Sequence, residues 1–476
     1  MCGIAGIIYN SNRPAQVIPW TELIAQLGRL AHLEVDPQTP PQAEVEALES
    51  ALAPLRGFSA FSQLWDQPAL AQSLAIAAQE LSSFEERSKK EVLNSNLPLP
   101  TTLVESWNAL WVRIRDLAWT VSRDLVDNLA RVRLIVPSDF TAASAEAWKI
   151  TAVLNDIDRL EVRGRDSLGI GISLLFKDQA TYRQFRQLVE EKGLGDNFQE
   201  RLQSSNLENM ALRLDESQPA RPQLLFIYKV SQEVGALGDN VAALRRYIKA
   251  DQALWLALGL EGITTKVWSH TRWASNGVIN IPNCHPVDEQ TLPLEDNPPY
   301  WIAAALNGDV DNFQALAQKV SLADGKMISP QITTDAKVIP VMVDYYYRRT
   351  HNLQEAFLQA VREFEGSVAI VMSSSLEPER TYLALKGSGQ SLFVGLCDSG
   401  YVFASEVYGI VEQTNRYLRL DGATERQPGR PESAGQIFIL QEGAQGLEGI
   451  EVLAMDGSTI PLGPQDIHTA EITTRD

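Results

Sequence analysis

The 476-residue sequence predicts an α+β protein: antiparallel sheet with helices, and a large helical insertion near the N-terminus. Three observations carry this. The chain opens on an apolar run of strand length, "GIAGIIY". From Trp20 to about Asp158, apolar residues recur at spacings of three and four, the period of a helix with one buried face. From Lys266 to about Leu440, short apolar runs meet at Gly-containing turns such as "KGSGQS" and "CDSG", which favour antiparallel pairing.

Taken in order, the clearest helix is "TTLVESWNALWVRIRDLAWTVSRDLVDNLARV". Its stripe is Trp107, Leu110, Trp111, Ile114, Leu117, Val121, Leu125 and Leu129. Such a stripe reads as a packing face, and the Pro-rich breaks "DPQTPPQ" and "NLPLPTT" separate this helix from earlier ones. After Arg159 the texture changes. "DSLGIGISLLF" reads as a strand, "ATYRQFRQLVEEKG" as a helix ended by Gly193, "PQLLFIYKVS" as a strand and "NVAALRRYIKADQALWLALG" as a single helix. The strands "KVWSHTRW", "YWIAAAL", "SVAIVMSS", "RTYLALKG", "SLFVGLCD", "GYVFASE" and "QIFILQ" follow. They are interrupted by the helices "NFQALAQKV", "VIPVMVDYYYRR" and "LQEAFLQAVREF".

Composition bounds the partners. An apolar fraction of 45% and a charged fraction of 21% are those of an ordinary globular protein. The net charge of -19 argues against nucleic acid and anionic membrane, both of which need a local surplus of Lys and Arg. Three scattered cysteines, Cys2, Cys284 and Cys397, suit neither a disulfide framework nor a zinc site. Together with an opening run too short for a signal peptide, they point to a cytoplasmic protein. No metal or other cofactor is expected.

Chemistry concentrates in four places. A cysteine directly behind the initiator methionine carries, once Met1 is removed, a thiol and a free α-amine on one residue, which is a nucleophile with its own base. "HTRWASNGVINIPNCHPV" gathers Arg272, Trp273, Ser275, Gly277 and His285. "LNGDVDN" ends a strand in Asn307-Gly308, and "TTDAKV" leads through Asp335 into a helix. Singly these are a turn, a helix cap and a surface charge. Jointly they supply the parts of an amide hydrolase. The thiolate attacks a carboxamide and the amine moves the proton. An Asn amide and a Gly N–H receive the tetrahedral oxyanion, a donor set in which each member contributes about 3 kcal/mol. An Arg suits a substrate carboxylate and an Asp its ammonium.

These stretches resemble the class II glutamine amidotransferases, N-terminal-nucleophile hydrolases with a four-layer αββα fold of two antiparallel sheets. Within them the wording is most similar to the glutaminase half of the glucosamine-6-phosphate synthases. "CGIAGII", "RLEVRGRDSLGIGI", "HTRWAS", "CHP", "LNGDVDNF", "TTDAKVI" and "EFEGSVAIVM" occur in the family's order. The resemblance implies that Cys2 is the nucleophile, that its freed amine is the general base, and that Asn307 and Gly308 form the oxyanion hole. It implies that Arg272 holds the glutamine α-carboxylate and Asp335 the α-ammonium. Trp273 through Gly277, including Ser275, would form the closing loop, and His285 and Arg163 would orient or pack. The sequence departs from the family's pattern at Asn276, Leu306 and Lys337, where His, His and an acidic residue are usual.

The resemblance covers residues 1–10 and 155–445. It leaves 11–154 as a helical insertion and 446–476 as a tail or linker toward an absent acceptor domain. The implied reaction is hydrolysis of L-glutamine to glutamate and ammonia. The ammonia would serve amination of fructose-6-phosphate, in amino sugar biosynthesis, by a sugar-phosphate isomerase domain or subunit. Two other readings stay open: a catalytically silent regulatory or assembly module, and an amidotransferase for a different acceptor.

Overall fold

Residues 2–9, 17–95, 97–204, 207–218, 220–231, 236–275 and 277–470 are described by a computed structural model. Its strands are β1 (Gly3–Tyr9), β2 (Ser167–Phe176), β3 (Ala211–Asp215), β4 (Gln223–Val230), β5 (Ile263–Arg272), β6 (Val287–Asp288), β7 (Ile302–Val310) and β8 (Gly366–Ser374). They continue with β9 (Arg380–Lys386), β10 (Phe393–Cys397), β11 (Gly400–Ala404), β12 (Arg416–Arg419), β13 (Gln436–Gln441), β14 (Ile450–Ala454) and β15 (His468–Thr469). Among the described residues they form two sheets, ordered β15-β12-β10-β11-β1-β5-β2-β4-β3 and β14-β13-β9-β8-β7-β6. Neighbouring strands run antiparallel, for example β1 with β5 and β11, and β7 with β8.

The sheets pack face to face. Ile4, Ile8, Leu225, Ile227 and Trp268 of the first meet Trp301, Ala303, Ala305, Ala369 and Val371 of the second in one buried cluster. The other face of the second sheet is covered by the helices Val338–Thr350 and Leu353–Glu363, through Ile339, Met342, Phe357 and Val361. The other face of the first sheet carries the helix Ser144–Leu160, whose Trp148 ring meets Tyr9 edge-on at 5.3 Å. Helix, sheet, sheet, helix is therefore the layer order, as the αββα expectation has it. Strand β1 is buried on both faces and all along its length, which is why its sequence is continuously apolar rather than alternating.

The chain falls into two compact units. The first takes Met1–Ser11, Ile135–Val411 and Arg416–Thr469, and the second Asn12–Leu134, Glu412–Asn415 and Ala470–Asp476. Every residue singled out above for chemistry belongs to the first. The sequence-read division, with a domain over 1–10 and 155–445 and a tail from 446, is a proposal. Structurally, Ser144–Leu160 packs on β1 and β5, and β14 pairs with β13 in register from Gln436↔Ala454 to Leu440↔Ile450. In the second unit the whole predicted Trp/Leu stripe is buried, on the helix Thr101–Trp119, the π-wound turns of Thr120–Asp127 that continue it and the helix Asn128–Ile135. Trp107 stacks on Trp111 at 5.7 Å, and their indole N–H groups donate to Pro37 O and Ser88 Oγ.

Three local readings need correction. "NVAALRRYIKADQALWLALG" is two helices, Asp239–Ala250 and Gln252–Leu258, because Asp251 leaves the helix and accepts from the Ala253 and Leu254 N–H groups. Asn307-Gly308 does not end a strand: β7 runs through to Val310. Thr334 makes no side-chain cap to the turn that follows it.

Candidate active site

The site is built where β1 begins. Pairing of Gly3 with Thr271 sets Cys2 beside the end of β5. Cys2 is 9% exposed; its thiol receives the Trp273 N–H at 3.3 Å and donates to the Trp273 carbonyl at 3.5 Å. Burial raises the thiol above its ordinary range, against the Trp273 N–H and the Arg272 charge, which favour thiolate, while Asp309 adds to the rise. Gly3 is required here because a Cβ would lie 2.8 Å from that of Leu160.

The "RGRDS" segment fixes the end of β5. A Cβ on Gly164 would lie 2.6 Å from the Arg272 carbonyl carbon, so the two backbones touch. Thr271 Oγ1 donates to Gly164 O, Asp166 N–H donates to Arg272 O at 3.1 Å, and Asp166 Oδ2 accepts from Ala274 N at 2.8 Å. Arg163, by contrast, pairs with Glu406 at 2.7 Å. Arg272 is buried and donates from Nη1 to Val278 O at 3.2 Å. Burial weakens its hold on its proton, and the charges of Cys284, Cys2, Asp335 and Asp166 oppose that.

Asp335 comes in from the turn ahead of the helix Val338–Thr350. Its Oδ2 accepts from Val310 N at 2.7 Å, which ties it to the strand of Asn307 and Gly308. Burial lifts its carboxyl to about 6, the Val310 N–H counters this, and Asp309 adds to the rise. Asn307 is buried in β7, and its Oδ1 has no hydrogen-bond partner among the described residues. Hydrogen-bonding capacity left unmet in the interior is costly unless a ligand meets it. At Gly308, φ is +112°, and a Cβ would collide with the carbonyl oxygen of Ser367 on β8. The glycine is therefore dictated by the close approach of the neighbouring strand.

Structure thus brings Cys2, Arg272, Trp273, Asp309 and Asp335 into one electrostatic neighbourhood, with Asn307 and Gly308 on the strand that ends in Asp309 and Val310. Trp273 is 57% exposed and Ser275 is exposed; Ser275 donates to Asp309 Oδ1 at 2.8 Å. Gly277 packs on Thr333, with φ at +83°. Asn276 lies outside the described residues, as does Met1. His285 is buried: its Nδ1 accepts from Leu306 N at 3.3 Å, its Nε2 lies 3.4 Å from Thr334 Oγ1, and its ring stacks on His270 at 4.2 Å. Burial, then the His270 and Arg272 charges, hold it neutral. Held this way, it joins β7 to the Asp335 turn. Leu306 gives its side chain to the outer core. Lys337 is buried and donates to Asp288 O at 2.6 Å and Asp288 Oδ1 at 3.0 Å, next to the Arg213–Asp288 pair at 3.0 Å.

Asn283 went unnoticed in the sequence. Fully buried, it donates to Val278 O at 2.9 Å and to Thr333 Oγ1 at 3.0 Å, and it accepts from the N–H groups of Thr333 and Thr334 at 2.7 and 2.9 Å. It fastens the loop carrying Arg272's partner to the loop carrying Asp335. Nothing in "NCHP" distinguishes it from an ordinary loop asparagine.

No protein-family model matches the chain. Among curated proteins, the isomerizing glutamine–fructose-6-phosphate aminotransferase of Acidithiobacillus ferridurans is 33% identical over 152 residues, 32% of this chain and 23% of that protein. The enzyme of the same name from Clostridium tetani is 32% identical over 145 residues, 30% of this chain and 21% of that protein. That from Methanothermobacter thermautotrophicus is 31% identical over 203 residues, 43% and 29% respectively. The chain thus matches under a third of these relatives' own length. Among solved structures, "the allosteric regulatory enzyme of purine biosynthesis" has a TM-score of 0.34 at 16% identity, over 60% of this chain and 49% of that one. Glutamine phosphoribosylpyrophosphate amidotransferase from B. subtilis has 0.33 at 16%, over 61% and 50%. Likenesses that slight add nothing to the case. Over the stretch that they match, which is 30–43% of its length, the chain is similar to these glutamine–fructose-6-phosphate aminotransferases.

Proposed function

We propose that this chain hydrolyses L-glutamine to glutamate and ammonia. The observation that carries the proposal is the buried Cys2 thiol, hydrogen-bonded to the backbone of Trp273 beside the buried Arg272. In this reading, removal of Met1 frees the Cys2 amine, which takes the thiol proton as the sulfur attacks the carboxamide carbon. The oxyanion is received by the Asn307 side-chain amide and the Gly308 N–H. The protonated amine then gives that proton to the amide nitrogen as the C–N bond breaks and ammonia leaves, and water cleaves the resulting thioester to release glutamate and the thiol. Arg272 grips the α-carboxylate in a planar fork and Asp335 the α-ammonium. Trp273, Ser275 and Gly277 cover the substrate, and His285 holds the strand and turn that present the other groups.

By analogy with these aminotransferases, the ammonia is destined for fructose-6-phosphate on an isomerase domain or partner. The cytoplasm is the compartment this reading assigns, supported by three free cysteines. No helix among the described residues is long and apolar enough to cross a membrane. The test is ammonia and glutamate release from glutamine by the purified chain, with and without fructose-6-phosphate. Cys2→Ala is expected to abolish release with the circular dichroism spectrum unchanged. A glutamine-like electrophile is expected to label Cys2 alone; label on Cys284 or Cys397 instead would sink the assignment.

A further inference from the structure

The residue after the Asn-Gly pair is an acid, and it reaches across to the segment that follows β5. Ser275 Oγ donates to Asp309 Oδ1 at 2.8 Å. The same segment is fixed on one side of Ser275 by the Ala274 N–H to Asp166 at 2.8 Å, and on the other by the Val278 N–H to Thr333 Oγ1 at 3.2 Å. Trp273, two residues before Ser275, holds the Cys2 thiol through its backbone. Asp309 follows Gly308 directly in β7, so the strand that carries the Asn-Gly pair cannot shift without moving the acceptor.

We propose that Asp309 is a positioning residue that latches Trp273–Ser275 over Cys2 through the Ser275 hydroxyl, coupling the enclosing segment to strand β7. A carboxylate is the stronger acceptor for such a bond, since charge-assisted hydrogen bonds exceed neutral ones. The latch deepens the glutaminase reading, on which its substrate rests, but the contact itself is independent of any substrate. The charge of Asp309 also raises the Cys2 thiol and the Asp335 carboxyl, so losing the charge and losing the bond have different consequences.

Ser275→Ala, Asp309→Ala and the double variant test this in the full chain, with Asp309→Asn as the variant that keeps an acceptor. Two readouts are needed: steady-state kinetics with glutamine, and the rate at which iodoacetamide alkylates Cys2, resolved by peptide mass spectrometry. Each alanine variant is expected to raise KM about tenfold, the loss of one hydrogen bond to a charged group, with kcat within about threefold of the parent. Cys2 alkylation is expected to quicken in both, and the double variant to match Asp309→Ala. Ser275→Ala is decisive because it removes the bond and keeps the Asp309 charge, which adds only a minor part to the burial-driven rise of the thiol. Asp309→Asn is expected to retain most of the parental KM. Multiplying effects in the double variant, or Ser275→Ala alkylated at the parental rate, would overturn the latch. If the parent chain released no ammonia, the glutaminase reading would fall, and the alkylation series would still decide the latch.

Discussion

At the residue scale, Asp335 and Gly308 make the sharpest demands. In the proposed reading the charged form of Asp335 grips the substrate ammonium, and burial lifts its carboxyl to about 6. KM for glutamine is therefore expected to rise about tenfold per pH unit below that value, and Asp335→Asn to lose this limb while binding poorly at every pH. The sign for stability is opposite. A carboxyl raised on folding stabilises most below its unfolded value of about 3.9 and loses that contribution as pH climbs through about 6. Melting temperature against pH for the parent and Asp335→Asn checks this, the difference between them changing over that window. Gly308→Ala forces a Cβ into the Ser367 carbonyl at a positive φ. It is expected to cost about 1–3 kcal/mol of stability and at least tenfold in hydrolysis, read by thermal denaturation and ammonia release. The Cys2 thiol, Arg272 and the Asn-Gly pair could be singled out in the sequence because the chemistry proposed for them is written in residue type. Asn283, Asp166 and Asp309 were not, because their importance lies in which distant backbone groups they meet.

Between residue and fold, the break at Asp251 shows what periodicity misses. Apolar spacing carries on through Ala250–Gln252, so the pattern reads as one helix. The break appears only when Asp251 pairs with Arg201, at 2.7 and 3.0 Å, and accepts from the Tyr228 hydroxyl at 2.7 Å. A tertiary partner outweighs local propensity there. Asp251→Ala removes the cap of Gln252–Leu258 and leaves buried Arg201 without its carboxylate. The expected loss is about 3–5 kcal/mol, seen as a lowered urea midpoint, since a buried charge stripped of its partner is the costly case. Two short strands were missed for the opposite reason. β3 and β14, five residues each, are held by neighbours β4 and β13 and lack a flagging turn, whereas β10 and β11, equally short, were read because the Gly-containing turn "CDSG" lies between them. Longer strands and the outer helices were legible because one face, or both, had to be apolar.

For the whole molecule, the two units divide the work of folding. Cys2, Arg272, Asn307, Gly308 and Asp335 all belong to the first, whose two sheets share one interior. The second has an interior of its own, centred on Trp107, which is fully buried and stacked on Trp111. Removing that indole leaves a cavity and frees the Pro37 carbonyl from its donor. Trp107→Ala is expected to destabilise the helical unit by about 3–5 kcal/mol. Because no group proposed for glutamine chemistry lies in that unit, kcat and KM are expected to stay at parental values below the lowered transition. Calorimetry is expected to show one transition moved and one in place, the behaviour of a chain with more than one cooperative block. A single shifted transition, accompanied by loss of hydrolysis at low temperature, would mean instead that the helical unit is a condition of the site's geometry.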